Sequence, residues 1–144
     1  MDKNEFKKIL RDLAFKHGFI IKEKVLYRET DTLIIIIYFQ KSNYSNSFYI
    51  NYGFLIKEIN GDIRNFKNVV YDCFCRVLDN KKEKGKGSFE LDNIDKLNYL
   101  ETIANFFDNI IEPVALNGIN KFFEISPDSV NTLTEKARKY LNIK

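Results

Sequence analysis

Tryptophan is absent from the chain, histidine and methionine occur once each, proline and cysteine twice, and glycine six times. Each shortage excludes something. A single imidazole, His17, leaves no material for a histidine-clustered metal site. It could supply only one member of a Ser/His/Asp constellation, and no nucleophile motif accompanies it. Cys73 and Cys75 stand two apart, too close along an extended strand for an easy mutual disulfide. Two thiols without a neighbouring His or further Cys also fall short of a structural zinc set, so they read as small buried or half-buried strand residues. No apolar run approaches the roughly 20 residues of a membrane span. The opening MDKNEFKKIL carries charges where a signal peptide has its apolar stretch. The expectation is a cytoplasmic protein with no membrane segment, no metal and no cofactor.

What the chain does contain is enough for one domain with a real core: 144 residues, of which 44% are hydrophobic and 15% aromatic, the latter all Phe and Tyr. The formal net charge of +3 is modest for a dedicated nucleic-acid binder. It is unevenly placed. Residues 1–28 hold eight Lys/Arg against four Asp/Glu, while the remainder is close to balanced.

Asp2 followed by Glu5 forms a capping-box pattern. Phe6, Ile9, Leu10, Leu13 and Ala14 then recur at helical spacing, and Gly18 supplies a stop. Phe19–Ile21 leads into a strand near Lys24–Glu29, and Glu29–Thr32 is a short polar connection. Leu33–Phe39, rich in β-branched Ile, predicts a central strand. After a turn at Gln40–Ser47, the stretch Phe48–Ile59 alternates strictly. Phe48, Ile50, Tyr52, Phe54 and Ile56 fall on one face, and Tyr49, Asn51, Gly53 and Lys57 on the other. Val69–Leu78 reads as a fourth strand, with Val69, Tyr71, Cys73, Cys75 and Val77 on its more buried side. Lys81–Ser88 is a charged loop containing Gly.

Asp92 or Asn93 can cap a second helix with an apolar stripe of Ile94, Leu97, Leu100, Ile103, Ala104, Phe107, Ile110 and Ile111, bounded by Pro113. A short helix over 114–124 and a last one opened by Ser126-Pro127 follow, the latter burying Val130, Leu133, Ala137, Tyr140 and Leu141. Strands in succession without intervening helices predict an antiparallel sheet. The fold class is therefore α+β, a single domain over 1–144. An N-terminal helix, a four-stranded antiparallel sheet and then C-terminal helices pack on one face.

No residue presents itself as catalytic. Gly85-Lys86-Gly87-Ser88 lacks the upstream Gly of a phosphate loop, and no pair of carboxylates stands out from the solvated background. Two surfaces carry chemistry. Lys7, Lys8, Arg11 and Lys16 lie on the polar side of the first helix and could meet phosphates, or could be an ordinary solvated face. Arg28, Gln40, Tyr49, Asn51 and Arg76 fall on strands, on the side taken as the non-core face of the sheet. They form either a water-facing surface of cross-strand polar pairs or a binding face for a partner. A strand Gly such as Gly53 marks close approach of another part of the chain.

Arg28, then Phe39-Gln40-Lys41-Ser42, then Phe48 to Gly53 and Tyr71 to Arg76, in that order and spacing, resemble the bacterial domain of unknown function 4304. Phe74 stands where that family commonly has His, and Phe89 where a Trp is usual. The resemblance implies an α+β fold and no established activity. The leading expectation is a non-enzymatic module that binds another protein, in the manner of an immunity protein that antagonises a toxin. The alternatives are a nucleic-acid binder using the first helix, and an enzyme with an atypical site around Arg28, Gln40, Asn51 and Arg76.

Overall fold

The computed structural model describes residues 1–61, 63, 65–66, 69–79 and 87–144. Most of the loop expected over Lys81–Ser88 lies outside the described residues.

The first helix, α1 (Lys3–Lys16), starts where Asp2 accepts a hydrogen bond from Glu5 N–H, and it buries Phe6, Leu10 and Ala14. The sheet follows: β1 (Ile20–Lys22), β2 (Val25–Glu29), β3 (Leu33–Lys41) and β4 (Ser47–Ile56). A single helical turn, α2 (Lys57–Asn60), ends β4, and β5 (Cys73–Arg76) and β6 (Ser88–Glu90) complete the set. All pairings are antiparallel, in the order β1-β2-β3-β4-β5, with β6 also on β4.

Among the described residues the sheet therefore has six strands rather than the expected four. β1 escapes a sequence reading because its hairpin has no Asn-Gly. The turn is made by Glu23 and Lys24, both at positive φ (53° and 67°), where non-glycine residues are uncommon. The run Val69–Leu78 contributes only Cys73–Arg76 as strand. β5 pairs with residues 51–54 of β4 and β6 with residues 47–49. Since β3 occupies the other side of β4 throughout, β5 and β6 act as one edge strand, interrupted where the chain leaves after Arg76 and returns at Ser88.

The helices lie on one face. α3 (Lys96–Phe106) is capped by Asp95, which accepts from Leu97 and Asn98 N–H, rather than by Asp92 or Asn93. The backbone stays helical past the expected boundary at Pro113, through a π-turn (Phe107–Ile111) into α4 (Glu112–Asn117). Proline lacks an N–H and crowds the carbonyl of the preceding turn, and here the wider π-turn stands directly before it. Gly118, at φ 89°, ends the run. α5 (Ile119–Ile125), a 3-10 turn (Pro127–Thr132) and α6 (Glu135–Leu141) close the chain. Two expected core residues face water instead, Leu97 at 77% and Tyr140 at 42% exposure. The register of α3 set by its Asp95 cap buries Tyr99, Thr102, Ile103 and Phe106.

The main core forms between these helices and the face of β4 that carries Phe48, Ile50, Tyr52, Phe54 and Ile56, as the alternation predicts. Aromatic rings interlock there. Phe6 stacks on Tyr99 (4.7 Å between centroids), and Phe54 meets Phe122 at 4.8 Å. The opposite face is not wholly open. Ile34, Ile36 and Leu55 are buried beneath Phe66, with Tyr27, Tyr38, Ile63, Val69 and Tyr71 packed around them. Gly53 shows why this covering fits: a Cβ there would sit 2.7 Å from Tyr71 Cγ and 3.0 Å from the Cys73 carbonyl.

Candidate functional site

Beyond the Phe66 cover, the opposite face of the sheet ends in a polar cluster. The pairings Tyr38↔Asn51, Gln40↔Tyr49 and Asn51↔Arg76 place these five side chains on one side of three adjacent strands. Asn51 is fully buried, and its amide is used from both ends. Nδ2 donates to Gln40 Oε1 at 2.9 Å, and Oδ1 accepts from Arg76 Nε at 3.1 Å. Arg76 Nη2 also reaches Gln40 Oε1 at 3.4 Å, and the guanidinium lies 4.0 Å from the centre of the Tyr49 ring. Gly87 packs along the arm: a Cβ on it would stand 3.2 Å from Arg76 Cβ and Cδ. The arginine is thus held by two neutral amides, one ring and one glycine. Among the described residues no carboxylate pairs with it.

Aromatic rings continue the surface. Tyr38 stacks on Tyr71 at 6.0 Å, and Tyr71 on Phe74 at 6.2 Å. Burial raises the Tyr38 phenol, and burial together with the adjacent Tyr38 pushes Tyr71 up to about 12, so both are neutral hydroxyls at physiological pH. Chemically the cluster offers fixed hydrogen-bond donors, one permanent cation and π faces. Gln40 and Asn51 do not ionise, and guanidinium stays protonated. Such a set orients and recognises.

The structure corrects one grouping. Arg28 pairs across from Ile35, whose side chain belongs to the main core, so Arg28 lies on the helix-covered face, away from the other four. There Glu112 Oε1 accepts from Arg28 Nη1 and from His17 Nδ1, both at 2.7 Å. The His17 ring stacks on Phe107 at 4.9 Å, with Asp108 3.8 Å from its Nε2. The π-turn presents Asp108, and α4, which follows it directly, opens with Glu112. Burial works against the Glu112 charge, but the hydrogen bonds from His17 and Arg28 outweigh it and hold the carboxyl below its ordinary range. This cluster ties α1, β2 and α4 together. Its members are 84 and 95 residues apart in the chain, and no local sequence signal announces it.

A second feature that sequence reasoning missed is a groove of about 840 Å³ between β5 and α3. Tyr52, Phe106 and Ile110 supply apolar wall, and Asn105, Asn109 and Thr132 supply polar groups. Cys75, half-buried, lines it, while Cys73 is buried, with its sulfur 3.1 Å from Thr132 Oγ1. The hydrogen bond with Cys73, together with burial, pushes the Cys75 thiol well above its ordinary range, so it is not a ready nucleophile.

The basic residues of α1 separate. Lys8 is engaged with Asp12 at 2.5 Å, and Lys16 is exposed near the C-terminal end. Lys7 lies over the Phe39 and Phe48 rings at 5.5 and 5.3 Å. Its ammonium is lowered by burial and by the charges of Lys3, Arg11 and Lys24. Lys41 also reaches the Phe48 ring. Cations from α1, from the β1–β2 turn and from the end of β3 thus converge. Among the described residues no group of three or more metal-ligating side chains occurs, and no helix is long and apolar enough to cross a membrane.

The fold and site define an α+β protein with helices on one face of an antiparallel sheet and an arginine-centred polar cluster on the other. The model of the domain of unknown function DUF4304 matches residues 10–123, and the chain belongs to that family. No curated protein and no solved structure matches it.

Proposed function

We propose that the chain is a protein-recognition module, non-catalytic, whose contact surface is the polar and aromatic end of the sheet. The observation that carries this reading is Arg76, an exposed cation fixed in place by Asn51, Gln40 and Tyr49 yet without a carboxylate of its own among the described residues. Arginine and tyrosine are the residues over-represented where protein interfaces concentrate their energy. A side chain already held by neighbours loses little freedom on binding. In its finer form, the partner is a toxin that the chain neutralises in the cytoplasm. The test is site-specific photo-crosslinking in the cell of origin, with the reactive residue at Gln40 and, as a control, at Glu124 on the helix side. A discrete protein adduct from Gln40 alone, lost on Arg76→Glu, is expected. No adduct, or the same adducts from both positions, overturns the reading.

A second reading rests on the convergence of Lys3, Lys7, Arg11 and Lys24, none of which is ion-paired among the described residues. Such a cluster suits an anionic polymer, with affinity that falls steeply as salt rises. Titration of labelled RNA and DNA oligonucleotides at low salt decides it. Absence of binding there, or binding that Lys7→Glu with Arg11→Glu leaves unchanged, removes it.

A further inference from the structure

One wall of the groove beside β5 is the outer edge of that strand. Val77 N–H donates to the Ile50 carbonyl, so Val77, and two residues back Cys75, turn their backbone groups toward β4. Arg76 and Phe74, at alternate positions, turn theirs away from it. The N-terminal part of this outer edge is already closed. Phe74 N–H donates to Thr132 Oγ1 at 3.2 Å, and the Asp72 carbonyl accepts from Thr134 N–H at 3.1 Å. Three groups remain directed outward with no partner among the described residues: the Phe74 carbonyl and the Arg76 N–H and carbonyl. They open onto the groove, whose far side is α3.

We propose that this edge accepts an extended segment of the partner protein as an added antiparallel strand, and that the segment alternates apolar and acidic residues. The proposal rests on the protein-recognition reading and specifies its partner. The alternation follows from register. The residue that exchanges both backbone hydrogen bonds with Arg76 projects its side chain to the same face as Arg76. Among the described residues Arg76 is the one formally charged side chain lining the groove, and it pairs with no carboxylate among them, so an acid at that position completes it. The residues on either side project to the opposite face, into the groove against Tyr52, Phe106 and Ile110, where apolar side chains belong. Asn105 and Asn109 also line the groove, with amides suited to the outer backbone groups of such a strand. Strand addition of this kind takes affinity from main-chain hydrogen bonds and selectivity from alternate side chains.

The probe is a capped heptapeptide alternating leucine with glutamate, titrated into the full chain and followed by amide NMR. Two control peptides carry lysine in place of glutamate, or an N-methyl group on the central residue. The expected result is saturable binding that shifts the Arg76 amide and slows its hydrogen exchange. Each control should weaken binding about tenfold or more, as loss of one buried hydrogen bond or one charge pair does. Arg76→Glu should reverse the preference between the glutamate and lysine peptides. Asn109→Trp, which changes an exposed residue and fills the groove, should block both. The proposal falls if the N-methylated peptide binds equally, if Arg76→Glu leaves the preference unchanged, or if none of the peptides binds. It also falls if a Gln40 cross-link to a cellular partner persists in Asn109→Trp. In that last case the recognition reading stands without strand addition, whereas absence of any cross-link removes both.

Discussion

The two faces of the sheet start from the same strands and end differently. The helix-covered face is closed by apolar residues from α1 and from α3 to α5, with Phe6, Phe54, Tyr99 and Phe122 fully or almost fully buried. The opposite face is closed over only part of its length, by Phe66 and its neighbours, and then gives way to Asn51, Gln40 and Arg76. The first is held by non-directional burial, which tolerates any good packing. The second is held by directed hydrogen bonds, which fix particular atoms in particular places. Apolar burial dominates the first face, and directed hydrogen bonds around Arg76 end the second.

Substitutions can break or sharpen that contrast. Phe54→Ala empties the middle of the helix-covered face and should cost about 3–5 kcal/mol, measured by urea denaturation. A loss below about 1 kcal/mol would show that the core is less well packed than the ring contacts indicate. Asp72, buried just before β5, accepts from Ile56 N–H and Asn60 Nδ2 at 2.8 and 2.6 Å. Its replacement by Ala leaves buried donors unsatisfied and should cost about 2–3 kcal/mol by the same measurement. Gly53→Ala drives a methyl into Tyr71 and should cost about 1–3 kcal/mol. The double variant Gly53→Ala with Tyr71→Ala should recover part of that loss in a double-mutant cycle. Lys24→Gly relieves the positive φ of the β1–β2 turn and should stabilise by up to about 1 kcal/mol, seen as a higher thermal midpoint.

The smallest effect concerns acid. Glu112 has its folded pKa depressed, so its contribution is present above the ordinary glutamate range, near pH 4.3, and is lost as pH falls through the lower folded value. Its side chain is 40% exposed, and solvent screening keeps the term below about 1 kcal/mol. Glu112→Gln should therefore flatten the acid limb of a stability profile below about pH 4.5 and leave peptide titrations at the β5 edge unchanged. An unchanged acid limb would mean that the His17–Glu112–Arg28 contacts add nothing to folding.

Much of this was legible from local pattern. The period-two run from Phe48 to Ile56 assigned the buried face correctly, because alternation is a property of the strand itself. The Asp2 cap and the stripe of Phe6, Leu10 and Ala14 located α1 for the same reason. Gly53 was read as a place of close approach, and Tyr71 and the Cys73 carbonyl occupy it. What went astray depended on partners distant in sequence. The sequence groups Arg28 with the polar cluster because strand position alone does not say which face meets the helices. Its register opposite Ile35, a residue of the main core, decides the face, and there it meets Glu112. Pro113 reads locally as a helix boundary because the local rule is strong, but the chain stays helical through it behind the π-turn. β1 has three exposed residues and an unorthodox turn, so neither hydrophobicity nor turn chemistry marks it.

The sequence by itself thus determined the α+β class, the family and the identity of the buried strand face, since these follow from residue periodicity and short motifs that act over a few neighbours. Only the tertiary structure decided that Arg76 is held by Asn51, Gln40 and Tyr49, that Arg28 belongs to a separate cluster, and that the backbone of Arg76 has no partner among the described residues on the outer edge of β5. Those arrangements join residues tens of positions apart. The closure of a sheet by helices, rather than any local preference, sets which polar groups are paired and which are left facing outward.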